Sequence, residues 1–170
     1  PKGAMLTHGN ILWNNINAMM AFGGSRDDVI LTAAPLFHIG GLNVMTIGSF
    51  HTGSAVVLMR AFDAGLALKH IERYRVAHMC GAPAMFLFMS QQPQFGDTDL
   101  SSINTIICGA APVPESLIEL YGKRGVPFCQ GYGLTETNAY GQGNSSEDDV
   151  RKPTSCGRVV AGAEMRDTDA

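Results

Sequence analysis

Apolar positions recur along the chain in two rhythms, and each rhythm predicts a different kind of element. Leu12, Ile16, Met19 and Met20 fall at helical spacing. They predict a helix over 11–22, capped by Thr7 or Asn10 and stopped by Gly23-Gly24. Behind Arg26-Asp27-Asp28, the apolar run 29–33 predicts a short strand. Segment 42–50 predicts a buried helix, and 54–59, after a Thr52-Gly53 turn, a strand. Asp63 opens an amphipathic helix with Leu68, Ile71 and Tyr74 on one face. A strand over 76–80, a helix over 83–89 and a polar surface loop over 91–99 follow. The compact run 105–108 predicts another strand and ends in Gly109-Ala110-Ala111-Pro112. Pro114 suits the first position of a helix whose buried stripe is Leu117, Ile118 and Tyr121, ending at Gly125. A last strand over 126–130, with Pro127 tolerable only near its start, leads into Gly131-Tyr132-Gly133.

Strands and helices alternating at this spacing predict an α/β fold, a mostly parallel sheet flanked by helices. Ligands of such sheets gather at the carboxyl ends of the strands. The small-residue turns 109–112 and 131–136 fall at those ends. After Asp149 the pattern changes to short segments broken by Pro153, Gly157 and Gly162, which predicts hairpins. The chain thus divides into an α/β core over 1–149 and the start of a β-rich segment over 150–170.

Composition narrows the class. With 170 residues, 45% hydrophobic and 16% charged, the chain can bury one core and is not a disordered polymer. A net charge of -3 with scattered Lys and Arg gives no reason to expect nucleic acid. Nothing polybasic asks for a membrane surface, and no apolar stretch approaches a spanning helix. Cys80, Cys108, Cys129 and Cys156 stand singly, as reduced structural cysteines of a cytoplasmic protein do. The chain opens on Pro1 without an initiator Met and stops as another strand begins, which reads as an internal piece of a longer protein.

Several chemistries lack their residues. The dinucleotide pattern fails because Glu136 stands where the third glycine belongs after Gly131-x-Gly133. The pair Gly141-x-Gly143 fails in the same way at Ser146. There is no nucleophile elbow, and His8, His38, His51, His70 and His78 are too dispersed for metal spacing. What remains is Gln130-Gly131-Tyr132-Gly133-Leu134-Thr135-Glu136-Thr137. It sets a flat aromatic, two glycines, a hydroxyl and a carboxylate in one turn after a strand. Glycines let backbone amides approach a phosphate, Tyr132 can face a purine, and Glu136 can hold Mg²⁺ near a polyphosphate. A plain glycine turn with a helix cap at Thr135-Glu136 fits the spacing equally well.

Gly131-Tyr132-Gly133-Leu134-Thr135-Glu136 resembles the GYGxTE signature of the adenylate-forming superfamily of acyl-CoA synthetases, luciferases and peptide-synthetase adenylation domains. Three more pieces stand in that family's order. Residues 1–10, starting Pro1-Lys2-Gly3, resemble the second half of its phosphate loop; Pro35-Leu36-Phe37-His38 resembles its histidine motif. Gly109-Ala110-Ala111-Pro112 resembles its adenine turn. The resemblance covers essentially the whole chain and places it within the large N-terminal domain of such an enzyme.

The resemblance implies roles residue by residue. Lys2 approaches the β- and γ-phosphates of ATP, Thr135 the α-phosphate, and Glu136 binds Mg²⁺. Tyr132 stacks on the adenine of ATP or AMP, with Gly109, Ala110, Ala111 and Pro112 opposite and Gln130, Gly131 and Gly133 close by. His38 orients the substrate carboxylate, and His78, in a segment like the family's pocket wall, lines the acyl pocket. The implied reaction makes an acyl-adenylate and then a thioester with coenzyme A. Segment 35–41 lacks the aspartate that holds an amino acid's ammonium group, which favours an acid without an α-amine. Phe37, Ile39, Leu42, Met45, Met85, Phe86 and Met89 suit a fatty tail first and an aryl acid second, although core packing explains most of them. A peptide-synthetase adenylation domain and a non-catalytic nucleotide-binding module are the other readings. The first half of the phosphate loop, the ribose-binding Asp and the C-terminal lysine of the family fall outside this sequence, so the piece alone is expected to be inactive.

Overall fold

The computed structural model describes residues 3–143, 155–161, 163–164 and 166. Thr7 caps the first helix, α1 (His8–Phe22), through a reciprocal box. Its Oγ1 accepts from Asn10 N at 3.2 Å while Asn10 Oδ1 accepts from Thr7 N at 2.9 Å. Strand β1 (Val29–Thr32) follows, then two short helices, α2 (Ile39–Asn43) and α3 (Thr46–Thr52). The single helix expected over 42–50 is therefore broken. Thr46 Oγ1 donates to Gly41 O at 2.7 Å and receives the Thr32 hydroxyl at 2.7 Å, so a side chain takes the place of the continuing ladder.

Beyond these come β2 (Ala55–Leu58), α4 (Ala64–Tyr74), β3 (His78–Gly81) and α5 (Pro83–Ser90). Asp63 caps α4 by accepting from Leu66 N at 2.7 Å, and Arg75 ends it in the left-handed region at φ 52. Tyr74, expected on the buried face with Leu68 and Ile71, is 39% exposed at the fraying end. The stretch read as a surface loop over 91–99 contains a 3₁₀ turn (Pro93–Gly96) that buries Phe95. The chain continues through β4 (Thr105–Cys108), α6 (Glu115–Gly122) and β5 (Phe128–Tyr132). Pro114 is the N-cap of α6 and not its first helical residue. Strand β5 starts after Pro127, two residues later than expected, although Pro127 O still accepts from Ile106 N at 2.8 Å.

Two short strands, β6 (Gln142–Gly143) and β7 (Arg158–Val159), complete the sheet, whose order is β2-β1-β3-β4-β5-β6-β7. The pairings from β2 through β5 are parallel and the last two antiparallel, as the mostly parallel expectation requires. The boundary expected at 149/150 lies outside the described residues. Alternation along the strands builds two cores. Ile106, Cys108 and Phe128 face Leu68, Ile71, Phe86, Met89 and Tyr121 of α4–α6. Ile107 and Cys129 face Ala18 and Phe22 of α1 on the other side. In the larger core the Tyr121 hydroxyl donates to Phe86 O at 2.9 Å, and burial raises its pKa well above the ordinary phenol value. No helix among the described residues is long and apolar enough to cross a membrane.

Candidate functional site

The parallel strands end at one edge, and two of the sequence motifs, 109–112 and 131–136, meet there. Register pairs Gly81 with Cys108 and Cys108 with Gln130, which brings the turn after β4 beside the end of β5. The fit is close: a Cβ on Gly109 would lie 2.6 Å from Gly131 O. Gly109 N also donates to Gly81 O at 3.1 Å, so the turn is fixed from both sides. Ala110 holds φ 69, an uncommon value for alanine, and Asn138 and Ala139 hold φ 57 and 87. Left-handed non-glycine residues of this kind concentrate where surrounding structure over-determines the backbone, as at binding sites. Pro112 closes the exposed end of the same turn.

Beyond Gly131, Tyr132 is 42% exposed, an aromatic residue within reach of a ligand. Gly133 leads to a 3₁₀ turn (Thr135–Thr137). Leu134 N donates to Thr137 Oγ1 at 2.8 Å and Thr137 N returns to Leu134 O at 3.2 Å, which fixes the turn and leaves Thr135 and Glu136 exposed. The Glu136 carboxylate has no hydrogen-bond or ion-pair partner among the described residues. No group of three or more His, Cys, Asp or Glu meets among them either. A single free carboxylate suits Mg²⁺, which takes one or two protein oxygens and completes its shell with phosphate and water.

His38 is the N-cap of α2, where its Nδ1 accepts from Gly40 N at 3.0 Å. That bond occupies Nδ1 as an acceptor, so the neutral ring carries its proton on Nε2, as a donor. Lys2 lies outside the described residues. The residues expected to wall one acyl pocket do not form one. Phe86 and Met89 are fully buried in the core under α4–α6, Ile39 and Met45 pack against the opposite core, and Phe37 is 95% exposed. Phe37 and Met85 instead border a cleft of about 500 Å³ with Leu36, Met59, Arg60 and Phe62. Three buried asparagines that the sequence reading passed over, Asn14, Asn43 and Asn138, also join this end of the molecule. For Asn14 and Asn43 the signal was polarity inside otherwise apolar segments; Asn138, at the end of the polar run 135–138, gave none.

His78 is not at the site. It begins β3, about 10 Å from the strand's carboxyl end at ~3.3 Å per residue. There it is 2% exposed, with Nε2 3.3 Å from Asp28 Oδ2 and Nδ1 unpartnered among the described residues. Burial holds its pKa below the ordinary 6.5, with the Asp28 carboxylate opposing. The folded state therefore binds this proton less readily than the unfolded chain, and its contribution is intact above 6.5. As pH falls through 6.5 toward the folded value, stability is lost. Melting curves between pH 7.5 and 5 should show this loss, with a flatter dependence in His78→Gln; equal slopes would refute it. Cys80 is no reactive thiol, because desolvation pushes it up to about 12.

The chain matches the AMP-binding enzyme family over residues 1–170. It is 43% identical over 136 residues to a feruloyl-CoA synthase from Amycolatopsis sp, covering 80% of this chain and 28% of that protein. A fatty acyl CoA synthetase from Mycobacterium tuberculosis superposes with a TM-score of 0.90 at 33% identity, covering 95% of this chain and 32% of that one. The o-succinylbenzoate coenzyme A synthetase MenE of Bacillus subtilis, solved with ATP and magnesium, gives a TM-score of 0.90 at 30% identity over 99% of this chain and 35% of its own. The chain thus spans about a third of such proteins. Because the family match runs over residues 1–170 and relatives 30% or more identical share its fold, the chain belongs to the AMP-binding enzyme family.

Proposed function

We propose that the protein carrying this chain is an ATP-dependent acid–thiol ligase, which activates a carboxylic acid as its adenylate and passes the acyl group to coenzyme A. One observation carries the reading. Gly109 lies too close to Gly131 O to carry a side chain, beside the exposed Tyr132 and the unpartnered Glu136. A bare backbone surface beside an exposed aromatic residue takes a flat base, with the phosphates running toward 135–136. Adenine packs on Tyr132 against 109–112, with Gln130 and Gly131 at its edge. The Thr135 hydroxyl donates to an α-phosphate oxygen, and Lys2 neutralises the β- and γ-phosphates. Mg²⁺ held by Glu136 would supply charge neutralisation along the phosphates. The Nε2 proton of His38 holds the incoming carboxylate. A carboxylate oxygen attacks the α-phosphorus and the bond to the bridging oxygen of pyrophosphate breaks, a reaction governed by alignment and charge. The thiol sulfur of coenzyme A then attacks the activated carbonyl and AMP leaves.

An aryl acid is favoured over the fatty acid that the methionines first suggested. Phe86 and Met89 are committed to the core, which leaves them no face for a long tail. The 43% identical relative is a feruloyl-CoA synthase. The superposition on a fatty acyl CoA synthetase keeps the fatty reading as the second. ATP–pyrophosphate exchange by the full-length protein tests both. Hydroxycinnamates and other aryl acids should support exchange at least about 10-fold better than fatty acids, the scale of discrimination a pocket's apolar contacts provide. The reverse order favours the fatty acids, and exchange with amino acids favours a peptide-synthetase type. ATP binding without exchange on any carboxylate leaves a nucleotide-binding module.

A further inference from the structure

The proposed site has two halves on different elements: His38 heads α2, and Thr135 and Glu136 lie on the turn after β5. A closed ring of buried amides connects them. At the far end of α2, Asn43 Nδ2 donates to Asn138 Oδ1 at 2.7 Å, across 95 residues of sequence. The Asn43 carbonyl accepts from Asn14 Nδ2 of α1 at 2.8 Å. Asn14 Oδ1 in turn accepts from the backbone N–H of Tyr140 at 3.2 Å. Asn138 lies two residues past Glu136 in the left-handed region at φ 57, and its N–H donates to Thr135 O at 3.1 Å. The three side chains are 4%, 2% and 5% exposed.

Stability is a poor explanation for this ring. Asn43 Oδ1 and Asn138 Nδ2 are buried with no partner among the described residues, and each costs free energy that apolar side chains of like volume would not. What the ring does fix is distance. It sets the helix that carries His38 against the turn that carries Thr135 and Glu136, with α1 as the common brace. We infer that Asn43 and Asn138, braced by Asn14, are positioning residues that hold the carboxylate half of the site in register with the phosphate half.

This inference rests on the proposed adenylation, and its effect belongs to the step in which both halves act together. Each half keeps its own ligand contacts when the ring is cut. Alignment for in-line attack is lost instead, and small misplacements of reacting groups cost about 10²-fold. Asn43→Ala removes the donor, and Asn138→Gly removes the acceptor while tolerating the left-handed backbone. In the full-length protein, each variant should lower kcat for ATP–pyrophosphate exchange by about 10- to 100-fold, with KM for ATP and for the acid within about 2-fold of wild type. The double variant should fall no further than the worse single one, because one ring is broken once. Hydrogen–deuterium exchange of segment 134–141 should quicken in both single variants.

Losses that multiply in the double variant, or that fall on KM alone, would overturn the assignment. So would wild-type kcat per folded molecule in either single variant, since a merely structural ring affects only the folded fraction. If the wild-type protein exchanges pyrophosphate with no carboxylic acid, the adenylation reading fails by itself. The hydrogen–deuterium comparison then decides the ring alone, and unchanged protection of 134–141 in Asn43→Ala refutes it.

Discussion

Gly133→Ala is expected to abolish pyrophosphate exchange and to lower the melting temperature sharply. A Cβ at this position would stand 1.8 Å from Ala139 O and 2.6 Å from Ala139 C. Both are backbone atoms, so no side chain can rotate away. The opposing strip cannot retreat either. Ala139 N donates to Leu134 O at 3.0 Å, Gly141 N donates to Tyr132 O at 2.9 Å, and Asn138 and Ala139 are already left-handed. The loop must open, taking Thr135 and Glu136 with it, or the domain must absorb a cost of about 4 kcal/mol or more, the range of exceptional single substitutions. Gly122→Ala provides the control. That glycine ends α6 with nothing within 4 Å of its ideal Cβ, and alanine there should stabilise by about 0.5–1 kcal/mol. Thermal melting and exchange assays on the two variants check the contrast. A Gly133→Ala protein that melts and turns over like wild type would mean that the loop is not closed as described.

That loop also marks the limit of what the linear sequence revealed. Strand β4 was read to the residue, because all four of its positions are buried and a turn of small residues follows directly. The meeting of turn 109–112 with segment 131–136 was legible for a similar reason: Gly109 follows β4, Gly131 stands next to the last residue of β5, and parallel order puts strand ends together. Where partners lie far apart in sequence, pattern failed. The break between α2 and α3 depends on Thr46 meeting Gly41 O and Thr32, and no periodicity encodes that triangle. Likewise His78 resembled a pocket-wall residue, yet strand direction sends it to the opposite edge beside Asp28. The asparagine ring joins residues 29, 95 and 126 positions apart, and each alone looked like a stray polar residue.

Glu136→Gln should leave the fold intact and remove most of the chemistry. The turn that carries Glu136 is held by Leu134 and Thr137, and the carboxylate itself has no partner among the described residues. Exchanging it for an amide of the same shape thus breaks no internal bond, and stability should stay within about 0.5 kcal/mol of wild type. What disappears is a hard, charged oxygen donor placed beside the proposed phosphate path. A neutral amide is a weak substitute toward a divalent cation, and the charge spreading over the phosphates loses its counterweight. Removing one pre-arranged electrostatic contact of this kind typically costs about 10²–10³ in rate, or ~2.7–4 kcal/mol of transition-state stabilisation. A loss of that size in kcat/KM for ATP is expected, partly recovered at high magnesium concentration. AMP affinity measured without magnesium should be unchanged, because the adenine site proposed above uses 109–112 and Tyr132 and does not involve Glu136. This split separates the two halves of the proposed nucleotide site. Equal weakening of AMP and ATP would assign Glu136 to shaping the slot, and exchange within about 3-fold of wild type would remove it from the chemistry, that being little more than 0.6 kcal/mol.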